Sequence, residues 1–357
     1  VVGFLPGFPW LVFSVLAIGM AVMGYVMQGQ LKEQAERRAA EAAAQAEQGD
    51  QPVDPIKDML KLDDLRLDLG AALVPLINSP DAALPGKVKS LRNLFIKDYG
   101  FVIPPVRIKD DSALPPMNYA ISIHGVETAR GELRPGAMMV IEPTGAEVDI
   151  PGERTREPTF GLNAIWVDQS RASEAEARGM TVVDPESVVT THLTEIIKEH
   201  MPELLTYAAT QELVSGQTKE YQKLLTDISN SAPMVLMQHV LQALMSERVS
   251  IRNLPKIIEA VAEASGTTKN VQVIVEHVRA QLSKQICQGL VDEKGYVPVV
   301  TLGQTWETEL HNAVSKNGDE TNFIMSPQRV QEFVLAVRQE IQHFAAGDQW
   351  PALLVAP

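Results

Sequence analysis

Apolar and polar positions change rhythm several times along this chain of 357 residues, and each change predicts a different element. Residues 1–31 carry no charged side chain, and Lys32 is the first. Residues 11–27, LVFSVLAIGMAVMGYVM, are almost wholly apolar. With 1–10 ahead of them they exceed the roughly 20 residues that cross a bilayer as a helix. A secretory signal would need a basic start and a shorter apolar core, so a transmembrane helix over 1–27 is expected. Lys32, Arg37 and Arg38 follow it, which favours the cytoplasmic side for what comes next. Residues 33–47 are entirely Ala, Glu, Gln and Arg. With no apolar stripe they have no face to pack, and residues 28–55 read as a linker.

From Ile56 the pattern becomes that of folded protein. Leu65, Leu67 and Leu69 alternate with Arg66 and Asp68, as on a half-buried strand. Val88, Leu91, Leu94 and Phe95 recur at helical spacing, with Lys87, Lys89 and Arg92 facing out and Gly100 placed to end the helix. Residues 102–108 read as an extended piece interrupted by Pro104 and Pro105. Tyr119, Ile121 and Ile123 alternate again, and Gly125 marks a turn or bulge. Short strands are predicted over 138–141, 164–167 and 181–183. Asp184-Pro185-Glu186 then has the form of a helix start: Asp as N-cap, Pro at the first helical position and an acid in the first turn. Helical spacing continues almost to Leu290, through Val188, Leu193, Ile197, Leu236, Val240, Ile257, Val261, Ile274 and Val278 among others. A strand over 297–302 opens a last mixed unit, with a helix over 327–344 and a strand-like end. Strands and helices mixed, then a purely helical stretch, then a mixed end give an α+β multidomain class behind one transmembrane helix. The lack of an initiating Met and the strand-like end predict a chain cut at both ends.

The net charge of −14 argues against a nucleic-acid binder, because phosphate contacts need clustered Lys and Arg. An acidic surface suits protein partners with basic patches, or solubility alone. One cysteine, Cys287, excludes a disulfide framework or a cysteine zinc site within one chain. A buried thiol in a reducing compartment is the expectation for it.

Candidate chemistry is sparse. Gly86-Lys87 is followed by Ser90, but a phosphate-binding loop needs a glycine where Asp81 stands and a hydroxyl directly after the lysine. Gly125 and Gly131 read as isolated hairpin glycines. The histidines, His124, His192, His200, His239, His277, His311 and His343, show no metalloprotease spacing. His192 and His200 share a helix face but lack further ligands, so both are expected on a helix surface. Asp110-Asp111 reads as a solvated turn, and no Gly-x-Ser-x-Gly elbow is present. No catalytic residue, metal site or cofactor is nominated.

Five ordered stretches carry a resemblance: residues 99–110 (YGFVIPPVRIKD), 119–133 (YAISIHGVETARGEL), 160–166 (FGLNAIW), 188–193 (VVTTHL) and 249–254 (VSIRNL). Together they resemble the type III export-gate family of flagella and virulence injectisomes, with 126–133 and 160–166 closer to the flagellar branch. The resemblance implies the last transmembrane helix (1–27), the linker (28–55) and four subdomains. The first is 56–134 plus 185–204 (α/β), the second an α+β insertion over 135–184, the third the all-α 205–284, and the fourth a truncated 285–357. It further implies a bacterial inner-membrane protein whose large part forms a nonameric cytoplasmic ring. Such a ring docks export chaperone–substrate complexes, meets other export-gate and export-ATPase components, and supports proton-motive-force-driven export and substrate switching. No enzyme activity is implied. The family's docking groove carries over onto Glu157, Phe160 and Thr191, with Val183 and Val188 in the same apolar dimple. Glu157 departs from the family's usual Asp. Judged by residue type alone, Phe160 would be core; the resemblance makes it an exposed anchor. The injectisome gate, a passive structural ring component and a membrane-anchored enzyme with a dispersed site are the competing readings.

Overall fold

A computed structural model describes residues 62–79, 82–142, 150–228, 233–317, 320–345 and 351–355. The expected transmembrane helix over 1–27, the linker over 28–55 and the expected start of the folded part at Ile56 lie outside the described residues. Among the described residues no helix is long and apolar enough to cross a membrane.

The first sheet is built on β1 (Leu65–Leu69), whose three leucines are fully buried. It lies between β2 (Val106–Asp110), parallel to it, and β3 (Asn118–Ile123), antiparallel; β4 (Val126–Glu132) completes the order β2-β1-β3-β4. A parallel neighbour requires a crossover. After the short α1 (Pro75–Asn78), α2 (Leu84–Tyr99) provides it. Leu84, Val88, Leu91 and Phe95 face the core, while Leu94, which the pattern put in the same stripe, is exposed. Gly100 closes α2 at φ +71, its N–H bonded to the Ile96 carbonyl. A Cβ there would also sit 2.4 Å from the Arg252 Cα, so the site excludes side chains by conformation and by space. The β3–β4 connection turns on His124 and Gly125, both at positive φ, as a tight hairpin turn requires.

A second sheet has the order β6-β7-β5-β8, all antiparallel: β5 (Ala137–Ile141), β6 (Glu153–Arg156), β7 (Asn163–Asp168) and β8 (Thr181–Val183). The helix α3 (Gln169–Ala177) lies against it, with Ala172 and Ala175 buried. Val140, Ile150, Ile165, Val167 and Ala175 form its small core.

The chain then enters α4 (Pro185–Leu204), which packs against α2, β4 and β5. Asp184 caps it, accepting the Ser187 N–H at 2.7 Å. Lys87 on α2 reaches the same cap, 2.7 Å from Asp184 Oδ1 and 2.6 Å from Ser187 Oγ. A helix N-terminus favours an anion, so the cap and the ion pair reinforce one another. Helices α5 (Tyr207–Ser215), α6 (Lys219–Thr226), α7 (Pro233–Ser246), α8 (Leu254–Ser265), α9 (Val271–Gln281) and α10 (Ser283–Gln288) follow. Leu236, Val240, Leu241, Ile257, Val261, Ile274 and Val278 join the large core. Cys287 on α10 is exposed, contrary to the expected buried thiol, because this short helix buries none of its residues.

In the last part, β9 (Val299–Thr301) pairs in parallel with β12 (Ala352–Leu354). Between them lie α11 (Gln304–Ala313), the hairpin β10 (Val314–Asn317) and β11 (Glu320–Phe323), and α12 (Pro327–Ala345). Arg329 ties α12 to α11, pairing with Glu309 and stacking 4.3 Å over the Trp306 ring.

Candidate binding site at the β6–β7 hairpin

The register of β6 on β7 ends at Arg156 opposite Asn163, leaving 157–162 as the connection. Its backbone closes on itself: the Glu157 N–H donates to the Leu162 carbonyl at 2.9 Å, and Gly161, at φ +69, donates to the Glu157 carbonyl at 3.0 Å. Glu157 turns inward and is only 4% exposed. Its carboxylate accepts the N–H of Thr159 at 2.8 Å on Oε1 and that of Phe160 at 2.6 Å on Oε2. Charge-assisted bonds to two successive amides are strong, and they fix the tip with the Phe160 ring outward, 65% exposed.

Behind the hairpin lies a buried polar pair. Tyr119 on β3, fully buried, meets His192 on α4, 5% exposed: hydroxyl and Nδ1 are 2.8 Å apart and the rings are edge to face. Burial pushes the Tyr119 phenol well above its ordinary range, and the Glu157 charge adds to the effect. Burial lowers the His192 pKa, against the Glu157 charge, which favours the imidazolium. Both groups therefore feel the Glu157 carboxylate. The phenol fits because its cross-strand partner is Gly131. A Cβ at Gly131 would lie 2.4 Å from the Tyr119 hydroxyl oxygen.

The residues expected in the groove separate by depth. Phe160 and Thr191 are exposed, Val183 on β8 is half-buried, and Val188 lies with Glu157 below the surface. Glu157 spends its carboxylate on backbone amides instead of presenting a free charge. His192 departs from the expected helix surface. Its neighbour Thr191 is the one that faces out, because successive helical residues are turned about 100° apart and the core side of α4 holds Val188, Val189, His192 and Leu193. Gly131 is no hairpin glycine but an interior strand position. Glycine inside a strand often marks a close approach, the sequence signal that would have pointed to Tyr119. An open groove of about 650 Å³ lies between α2 and α4, lined by Gly86, Ser90, Leu94, Thr190 and Thr194 among others and by none of the five expected groove residues. Among the described residues no group of three or more His, Cys, Asp or Glu is placed to hold a metal.

The chain, with two four-stranded sheets both in contact with α4 and a run of helices after them, has a mixed α/β fold. Its whole length, residues 1–357, matches the model of the FHIPEP family, and the chain belongs to that family. It is 39% identical over 361 residues to the flagellar biosynthesis protein FlhA of Caulobacter vibrioides, covering 100% of this chain and 51% of that protein. The chain thus spans about half the length of the curated relatives it matches. Among solved structures, it resembles the Chlamydia pneumoniae CdsV and CdsO protein complex at a TM-score of 0.70 and 21% identity, covering 83% of this chain and 87% of that one. It resembles nonameric EPEC SctV-C at 0.61 and 18%, covering 78% and 83%. At these identities the structural likeness concerns the fold.

Proposed function

We propose that this chain is part of the export gate of a flagellar type III secretion apparatus and that its folded part docks export chaperone–substrate complexes through the β6–β7 hairpin. The observation that carries the docking reading is Phe160. A large aromatic ring stands 65% exposed on a tip whose backbone is bonded back into the hairpin. Rigid aromatic anchors of this kind lose little entropy on binding and dominate interface energies. Thr191, exposed on α4, and half-buried Val183 supply the hydroxyl and the apolar margin. Glu157 and Val188 act from below, shaping the surface without presenting atoms to a partner. The flagellar assignment draws support from the relative at 39% identity, named as a flagellar biosynthesis protein. Assembly into a nonameric ring is proposed by analogy with nonameric SctV-C, and contact with further export components by analogy with the CdsV and CdsO complex. In this reading 1–27 anchors the chain in the inner membrane, 28–55 tethers the ring, and 56–134 with 185–204, 135–184, 205–284 and 285–357 are its subdomains. The chain does no bond-breaking chemistry; it positions cargo for an energy source that lies elsewhere.

Site-directed photocross-linking tests the docking surface. A photoreactive phenylalanine analogue at position 160 of the full chain captures a late chaperone–substrate complex, while the same analogue at Val126, exposed on β4, does not. Equal capture from both positions, or from neither, rejects the hairpin as the docking point.

A further inference from the structure

The proposed docking surface is shared between two parts of the fold: the Phe160 tip and Val183 belong to the second sheet, Val188 and Thr191 to α4. We propose that Arg134 and Lys87 are its positioning residues, each clasping one of the two links that join the second sheet to the rest, so that Phe160 and Thr191 keep one relative placement. The consequence for binding rests on the docking reading above, whereas the clasps are a property of the free protein.

The second sheet is inserted in the chain between β4 and α4. It is entered through residues 133–136, after β4 ends at Glu132 and before β5 begins at Ala137. It is left through Asp184 alone, between Val183 on β8 and Pro185 on α4. A body tied at two points can still turn about the line through them. Met139, Ala164 and Trp166 of this sheet join the large core. That apolar seam resists separation, but apolar contact is non-directional and does little to fix an angle. Hydrogen-bonded ion pairs do fix one.

Each link carries such a pair. At the entry, the Arg134 guanidinium grips both Glu153 carboxylate oxygens, Nε donating to Oε2 at 2.8 Å and Nη2 to Oε1. Its Nη1 donates to Glu132 at 2.7 Å. One side chain thus joins the end of β4 to β6. Glu153 stands opposite Trp166, and Trp166 opposite Met139, so the three share a face, the one that meets the large core. Arg134 therefore fastens the seam at its rim, on the strand that runs directly into the hairpin tip. At the exit, Lys87 on α2 donates to both Asp184 oxygens at 2.7 and 2.9 Å and to the Ser187 hydroxyl at 2.6 Å. Asp184 follows Val183, and its carbonyl accepts the Val188 N–H at 3.1 Å. Thr191 lies about one helical turn beyond Ser187. The Arg134 and Lys87 side chains are 21% and 31% exposed, so solvent screens these pairs less than fully exposed ones.

The test measures that placement directly. Spin labels are attached in the full chain through Ser173→Cys on α3 and Glu199→Cys on α4, both exposed positions, with the exposed Cys287 replaced by Ser. Pulsed electron paramagnetic resonance then gives the distance distribution between second sheet and α4. It is compared for the unaltered clasps, Arg134→Gln, Arg134→Lys, Lys87→Met and the double variant of Arg134→Gln with Lys87→Met. The expected result is a wider distribution in each neutral variant and the widest in the double one. Arg134→Lys, which keeps the charge but not the fork, should lie between wild type and Arg134→Gln. Amides within β1 and β7 should keep wild-type protection from exchange. The dissociation constant for a late chaperone–substrate complex should weaken about tenfold in the double variant, with Phe160 and Thr191 intact. A double variant with the wild-type distribution overturns the proposal. So does a general loss of amide protection in both sheets, which would make the clasps ordinary stability contacts. Where the wild type binds, a wider distribution with undiminished binding overturns the positioning role. Where the wild type binds no complex, a wider distribution upholds the clasps and rejects the docking reading alone.

Discussion

The exposure of Phe160 follows from where two backbone N–H groups find their acceptor. Because the Glu157 carboxylate takes both, the backbone of the tip is pinned at residues 159 and 160, and the Phe160 ring stands outward from it. Residue type alone puts Phe160 in the core, since it weighs the ring and not the geometry of the turn beneath it. The same limit hid His192. Its partner Tyr119 is 73 residues away in sequence, and no local periodicity records so distant a bond. Gly131 was legible as a special position but its meaning was not, because the side chain it accommodates belongs to another strand. A pH dependence follows from this pair. Burial lowers the His192 pKa below its ordinary 6.5 despite the opposing Glu157 charge, so below that value the unfolded chain binds the proton more readily than the folded one. Stability then increases with pH through this window. The His192 contribution is fully present above about pH 6.5 and is lost as pH falls toward the folded value. Urea unfolding of wild type and His192→Asn between about pH 5 and 8 should give curves that diverge at neutral pH and approach each other in acid. Curves that stay parallel contradict the assignment of a buried neutral imidazole.

At the scale of elements, the strands and helices that bury apolar rows were readable. The leucine alternation gives β1, Tyr119, Ile121 and Ile123 give β3, and the Asp-Pro start gives α4 with its cap in place. Elements that bury little apolar surface were not. The strand β6 reads Glu-Arg-Thr-Arg and is defined by its pairing to β7, while α3 faces its sheet with alanines only. The prolines expected to interrupt residues 102–108 do so: ladder pairing begins only at Val106, past the two prolines that lack a donor. The Asp184 cap is where element-level energetics can be tested. It holds the first turn of α4 and receives Lys87 from α2. Asp184→Ala should cost about 1–2 kcal/mol, the range for a lost N-cap, and Asp184→Asn, which keeps an acceptor for Ser187 but not the ion pair, should cost less. Chemical denaturation of both variants checks this; equal losses would mean that the ion pair, not the cap, carries the contribution.

At the scale of the molecule, the proposed docking function calls for protein partners, and the net charge of −14 argues against nucleic acid in their place. Architecture was the part most open to reading, because a mixed region, a helical region and a second mixed region have distinct hydrophobic periods. Which of the candidate residues would reach the surface was the least open. Depth is set by packing between elements, and the five candidates range from the exposed Phe160 and Thr191 to the buried Val188 and Glu157. The central claim, a docking platform anchored by one exposed ring, is decided by a single comparison. Calorimetric titration of the full chain and of its Phe160→Ala variant with a late flagellar chaperone–substrate complex should show binding weakened by roughly 1–3 kcal/mol, the scale of an interface anchor, with an unchanged unfolding transition. Undiminished binding by a folded Phe160→Ala variant would contradict the account.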